Sequence, residues 1–337
     1  MIANDFDQLY FKLFSSCINV RGVQSSVIMD LQKESFFTIP NILSDVLKIT
    51  DENILVKQLK ERFDNKYNEG IDKYLNFLIK NDFGFCTKTP ESFPSLNNKF
   101  ITPYICLTSV VCYDEKEKYD LFYALNQLID LGTQSIQIRI NSRIRGKDIV
   151  NIISLFKMTR VKIVEIIFKY EDFLEDFFED LDEINYRICL YVLSSPINKL
   201  WLNKNKMKII YLKQEFIKYE TEKIDTCLFN VNTELYLEAI NYNVGLNRKI
   251  SVDYNGDIKN YVDHKKVYGN IKDDLLFEII SSELFQQKWI LNNDLIEKCK
   301  DCQFRYMCVS NSDIYIIKNK YHKLNSCNYD PYQNKWE

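Results

Sequence analysis

Glycine, histidine and uninterrupted apolar sequence are all in short supply. The 337 residues include 8 Gly and 2 His, where ordinary usage of about 7% would give roughly 24 Gly. None of the eight stands in a GxG or GxxxxGK pattern, which excludes a Walker-type phosphate loop and a dinucleotide fingerprint. His264 and His322 are too few for a multi-His metal centre. No apolar run approaches the ~18 residues that cross a bilayer, and the opening MIANDFDQ carries two Asp where a signal peptide carries Lys or Arg. The expectation is a cytoplasmic chain with no membrane partner. Charge of one sign is lacking too: 44 Lys plus Arg against 47 Asp plus Glu leave a net charge of -3, with no bulk attraction for nucleic acid.

What is present is core-forming material, 46% hydrophobic and 14% aromatic, enough for two or three domains. Residues 1–95 open with short β-branched and aromatic runs, Tyr10 to Ser15, Val23 to Leu31 and Ser35 to Ile39, which suit three strands. Helical spacing follows at Ile42, Val46, Leu47 and Ile49, then at Ile54, Leu55, Leu59 and Phe63, then at Ile71, Tyr74, Leu75 and Leu78. Three strands and three helices, closed by an extended FGFC piece at 83 to 86, describe a winged-helix-like domain. Its third strand, Phe36, Phe37, Thr38 and Ile39, can accept an extended peptide against the helix bearing Ile71, Tyr74, Leu75 and Leu78.

Residues 96–240 alternate strand and helix. Strands are expected at 101–111, 135–140, 161–168, 187–193, 207–212 and 225–230, with helices at 118–131, 148–158 and 171–184. Six such units imply an α/β fold with a parallel sheet, either a partial barrel or a doubly wound sheet. Arg139, Arg143 and Arg145 close or follow the second strand and can hold a carboxylate or phosphate, with loop solvation as the plain alternative. The segment EDFLEDFFEDLDE reads as a helix with a solvated acidic face.

Residues 241–337 contain RKISVDYNGDIKNYV, whose Asn255-Gly256 between alternating arms signals a hairpin. Then comes the chain's densest chemistry. Cys299, Cys302, Cys308 and Cys327 fall within 29 residues, as CKDCQFRYMC and SCNYDP, while the other six of ten cysteines (Cys17, Cys86, Cys106, Cys112, Cys189 and Cys227) are scattered in apolar segments as core residues. In a reducing compartment four clustered thiols point to metal ahead of disulfides, and the donor set suits Zn²⁺ or an iron–sulfur cluster. Four free thiols are the alternative.

The segments GLNRKISVDYNGDIKNYVDHKKVYGNI, FQQKWILNNDLIEKCKDCQFRYMCVSN and SCNYDPYQNKW resemble the C-terminal region of the SPASM-domain peptide maturases of grasp-with-spasm systems. VRGVQSSVIMDLQ and the IPNIL helix resemble the precursor-recognition portion of the same family. The resemblance implies a winged-helix-like recognition domain, a central partial (β/α) barrel and a SPASM-like third domain, in a pathway that makes graspetide-type modified peptides beside an ATP-grasp ligase. It implies a 4Fe–4S cluster or Zn²⁺ on Cys299, Cys302, Cys308 and Cys327. It also implies three further cysteines where this chain has Gly245, Tyr261 and Asn311, so one of the family's two auxiliary clusters is expected to be lost. The CxxxCxxC of radical SAM enzymes is missing, since Cys106 and Cys112 have no third partner; no SAM-binding cluster is expected.

The leading expectation is a maturation factor that binds the leader of a precursor peptide and presents it to the ligase. The rival is an iron–sulfur enzyme acting on the same precursor. A degenerate homologue acting as a homodimer partner or regulator is the third reading.

Overall fold

The computed structural model describes residues 6–117, 119–171, 187–202, 207–218 and 222–336. Beyond Glu171, the acidic helix expected over 171–184 lies outside the described residues. In the N-terminal part, β1 (Tyr10–Leu13) pairs antiparallel with β5 (Gly84–Thr87), and β2 (Cys17–Arg21), β3 (Ser25–Asp30) and β4 (Ser35–Pro40) form a separate antiparallel sheet with β3 in the middle. The helices are α1 (Asn41–Thr50), α2 (Val56–Glu61) and α3 (Asn68–Lys80). Strand β2 was not expected, because Cys17–Arg21 mixes Asn and Arg with its apolar residues. It forms because its alternation meets two different surfaces.

Alternate side chains of a strand face opposite ways, and in this sheet both ways are covered. Cys17, Ile28 and Ile39 face the helices, in a core with Leu43, Leu47, Leu59, Ile71, Leu75 and Leu78. Val20, Val27 and Met29 face the cysteine segment, in a core with Phe304, Met307 and Tyr329. Every residue of β3 is buried as a result.

The largest sheet has nine strands. β6 (Thr108–Tyr113), β7 (Ser135–Ile140), β8 (Ile163–Lys169), β9 (Ile188–Leu193) and β11 (Lys208–Tyr211) run parallel in chain order. β10 (Lys199–Leu202) lies antiparallel at one end, and β12 (Lys249–Val252), β13 (Asp257–Lys259) and β14 (Gly269–Asn270) extend the other. These five parallel strands are added in one direction, after which the next parallel strand joins at the opposite end, so the order reverses once, as it does in a doubly wound sheet. The sixth parallel strand is β12, beside β6. Residues 225–230, expected as that strand, hold a single turn of 3-10 helix at Thr226–Leu228 and pair through Phe229 with Cys308. The sheet thus runs across the boundary expected at residue 240.

On one face, Ile136, Ile138, Ile140, Val164, Ile166 and Leu190 are all at most 2% exposed. They pack with Ala124, Leu125 and Leu128 of α4 (Leu121–Asp130) and Ile149, Ile152 and Ile153 of α5 (Gly146–Leu155). Asp120 caps α4 by accepting from the Phe122 and Tyr123 amides, which sets its start three residues after the expected Lys118. The hairpin stands where Asn255-Gly256 placed it, Gly256 taking φ +86° at the turn while the Asp253 carboxylate accepts from the Asn255 and Asp257 amides. No helix among the described residues is long and apolar enough to cross a membrane.

Helix α6 (Thr233–Asn241) carries Glu238, whose carboxylate accepts from Asn247 Nδ2 at 2.8 Å and is pushed up by burial to about 7. Asn247 Oδ1 beside it is buried without a partner. A raised folded-state value makes the charged form a cost that is absent below the ordinary 4.5 and complete above about 7. Glu238→Gln removes the charge and supplies a donor for Asn247. Thermal denaturation against pH should show the variant gaining stability over the native chain as pH rises from 5 to 8, by on the order of 3 kcal/mol, with no gain at pH 4.

Candidate metal and peptide sites

The four cysteines expected to act together line one cavity of about 40 Å³, with Ile224, Phe229, Phe304 and Trp336 among its walls. Local backbone bonds build it. Lys298, in the left-handed region at φ +68°, turns the chain into Cys299, and the Cys302 amide donates to Cys299 O at 3.0 Å. The Phe304 amide points at Cys302 Sγ, 3.4 Å away, and the Cys308 amide donates to Phe304 O. Cys308 and Cys327 are held from outside by one segment: Phe229 bridges Cys308, Ile224 bridges Cys327, and the Asn230 amide donates to Met307 O at 2.8 Å. This clamp is the work of the stretch read from sequence as a strand. Around the cavity, Phe229, Phe304, Tyr329 and Trp336 pack ring to ring with centroids 4.9 to 6.1 Å apart.

All ten cysteines are free thiols. Burial pushes the thiol of Cys299 up, that of Cys302 far up, and that of Cys308 up to about 11, against the pull of the Lys323 ammonium on Cys299 and Cys308. A buried thiolate is costly unless a cation accompanies it. Among the described residues, no three His, Cys, Asp or Glu side chains converge tightly enough to ligate one metal ion. The donor set is four soft sulfurs spaced around a cavity, which fits a thiophilic group; a cluster of several irons spreads its ligands more widely than a single tetrahedral Zn²⁺ at Zn–S of about 2.3 Å does.

Of the other six cysteines, Cys17, Cys106 and Cys112 are buried and Cys86 and Cys189 half-buried, whereas Cys227 is exposed. Cys227 sits on the Thr226–Leu228 turn beside Asp225, so its expected core place is corrected. Cys106 and Cys112 belong to different hydrophobic clusters, and burial pushes both thiols up to about 12.

Gly245, Tyr261 and Asn311, distant in sequence, come together. A Cβ at Gly245 would lie 1.8 Å from Ser310 O and 3.2 Å from Asn311 N. Lys249 Nζ donates to Asn311 Oδ1 and stands 5.4 Å from the centre of the Tyr261 ring. Glu222 accepts from Ser310 Oγ and from both the amide and side chain of Asn311, and His264 Nε2 bonds Asn311 O at 2.8 Å. Burial lowers the Lys249 ammonium to about 8, opposed by Glu222 and Glu238. Protein atoms fill this place.

The three arginines do not converge. Arg139, on β7, donates to Gln137 Oε1 at 2.7 Å and to the Tyr261 hydroxyl at 3.2 Å. Arg143 lies 3.6 Å from Glu171, and Arg145 reaches back 2.9 Å to Asp148 within α5. Arg143 and Arg145 share a cavity of about 420 Å³ with Glu115, Asp120 and Asp148, so its charge does not favour an anion.

The expected peptide-binding residues divide. Ile39, Ile71, Leu75 and Leu78 are at most 3% exposed in the N-terminal core and cannot touch an added strand; Tyr74 is half-buried. Phe36, Phe37 and Thr38 are exposed on β4, which ends its sheet. The Phe37 ring lies 5.5 Å from Phe77 and 6.0 Å from Phe83, so these three make an aromatic floor beside an edge that no described strand pairs with. Phe77 was missed because helical periodicity selects the core stripe; the signal was an aromatic residue out of phase with that stripe. Phe36 points the other way, onto Phe304 at 5.7 Å and Phe229 at 6.1 Å.

The packing at Gly245 yields a sharp expectation. Gly245→Ala should destabilise the chain by at least about 1–3 kcal/mol in chemical denaturation, because the contact it meets is backbone. Gly245→Cys should show the same loss with no increase in metal per chain by elemental analysis.

No protein-family profile matches the chain, and neither does any curated protein. Two solved structures are similar to it: Streptococcus suis SuiB bound to S-adenosylmethionine, at 11% identity and TM-score 0.30, and Streptococcus suis SuiB bound to precursor peptide SuiA, at 11% identity and TM-score 0.28, each covering 88% of this chain and 94% of that chain. At these TM-scores the likeness carries no argument about this chain.

Proposed function

We propose that the chain is a peptide-maturation factor that captures the leader of a graspetide-type precursor on β4 and presents the rest of the peptide to a partner ATP-grasp ligase. The observation that carries the reading is the free edge of β4 above the Phe37, Phe77 and Phe83 floor. Antiparallel ladders alternate the direction of their backbone groups. The bonds Gly22 N to Ser25 O and Leu31 N to Ser16 O fix the phase, so Ser35, Phe37 and Ile39 bond to β3 while the amides and carbonyls of Phe36 and Thr38 point outward. An extended peptide pairing there gains main-chain hydrogen bonds, and its alternate side chains meet the aromatic floor. The ligase supplies the nucleotide chemistry for which this sequence has no phosphate loop.

The test uses the full chain and the leader as a synthetic labelled peptide. Thr38→Pro removes one outward N–H on an edge strand that tolerates proline, and Phe37→Asp spoils the floor. Each should weaken binding at least tenfold by fluorescence anisotropy with an unchanged circular dichroism spectrum. Absence of leader binding by the native chain would sink the proposal.

A second reading is favoured by the thiol-lined cavity: an iron–sulfur enzyme acting on the same precursor, with the group on Cys299, Cys302, Cys308 and Cys327 polarising substrate or passing electrons. Replacing Cys299 and Cys302 together by Ser separates the two. A folded variant that binds leader while one modification of the precursor disappears supports the enzyme; unfolding assigns the cysteines to structure, since metal binding is coupled to folding at such sites.

A further inference from the structure

The charged side chains that line the cysteine cavity are all cations. Its lining includes Lys298, Arg305 and Lys323 and no Asp or Glu, in a chain with slightly more acid than base. Four neutral thiols among aromatic rings need no cations, and cations in such a place cost free energy. Four thiolates around a cluster core of charge +2 leave two negative charges unbalanced, and a low-dielectric wall makes that imbalance strong.

Two of the cations are tied in place. Lys298 Nζ donates to Cys327 O at 3.3 Å. Arg305 Nη1 donates to Cys302 O at 3.0 Å and to Arg21 O at 2.7 Å, while its Nε bonds Asp294 at 2.8 Å. Lys323 is different: it leaves β16 (Lys320–Lys323), which pairs with β15 (Ile314–Ile317), and reaches the cavity with no carboxylate among the described residues hydrogen-bonded to it. Glu222, an acid whose charge acts on Lys323, is engaged by Ser310 and Asn311.

We infer that the four thiols hold a net-anionic metal group whose charge is compensated from the protein side by Lys298, Arg305 and above all Lys323. Lys323 is a positioning residue, acting on the group's retention and electronic properties through its charge. This rests on the reading that the cysteines bind metal, and deepens it. Removing the ammonium raises the cost of the extra negative charge, so metal escapes faster; where the group is a cluster, reduction, which adds a further negative charge, becomes harder and the midpoint potential falls.

The experiment compares the full chain with Lys323→Met, Lys323→Arg and Lys320→Met, all purified without oxygen. Lys320 lies on the same strand but pairs with Glu297 and is well exposed, so it controls for net charge. Iron, inorganic sulfide and zinc per chain are measured, then the rate of metal transfer to a chelator and, for iron, the midpoint potential. Lys323→Met should lose metal at least tenfold faster than the native chain, with Lys323→Arg restoring retention and Lys320→Met unchanged. A native chain that holds metal while Lys323→Met holds it equally well overturns the inference. A native chain without metal overturns the metal reading itself. Should Lys323→Met not fold, Lys298→Met is measured in the same way, and unaltered retention there counts against the shared compensation.

Discussion

Strand β3 is buried on both faces, and much of the N-terminal and C-terminal architecture follows from that. Ile28 packs into the helices α1 to α3, while Val27 and Met29 pack against the cysteine segment. Each buried aliphatic side chain is worth about 1.5–3 kcal/mol relative to exposure, and the strand spends them in two directions. The first unit therefore has an apolar underside that the third region covers together with Val231 and Tyr236. The β2–β3 turn reinforces the join: Gly22 comes so close to Gln303 that a Cβ would meet its amide at 2.8 Å, and the Val23 amide donates to Asp301 O at 2.9 Å. The glycine sits where side-chain-free backbone is needed between two cysteines of the site, an approach no local pattern announces.

Local patterns were legible where they determine structure locally. The helical stripes, the Asn255-Gly256 hairpin and the parallel strands from β6 to β11 all follow from periodicity and turn chemistry. What was not legible depended on partners far along the chain. Residues 225–230 have strand-like composition but pair with the Cys308 loop, while Ile224 just before them pairs with Cys327, and β12 takes the place beside β6. The arginines after β7 read as a cluster because they are near in sequence; in space Arg139 turns to Tyr261 while Arg145 caps its own helix. The four cysteines were readable as one group, since their spacing limits the loops between them. Their cationic surroundings were not, although Lys298 and Arg305 lie within or beside the same motif.

The third region is held by two knots of different chemistry. In one, four thiols and three cations surround a small cavity. In the other, Lys249, Glu222, Tyr261, His264 and Asn311 interlock by hydrogen bonds and ring contacts, and Gly245 is pressed against Ser310. The second shows how a packed polar network can tie segments distant in sequence, provided that its buried groups are nearly all paired. His264 is held neutral there by burial, beside Asp313 and Lys288.

Phe36 and Phe37 are neighbours on β4 yet belong to opposite sides of the sheet, one touching the walls of the thiol cavity and the other the aromatic floor of the helices. A peptide laid along this edge advances about 3.3 Å per residue and sends alternate side chains to the two sides, so sliding it by one position exchanges every side chain between them. On the proposed reading the edge would act as a ruler graduated in steps of two. It would discriminate peptides by the parity of their spacing as well as by composition, and fix which residue emerges at its end.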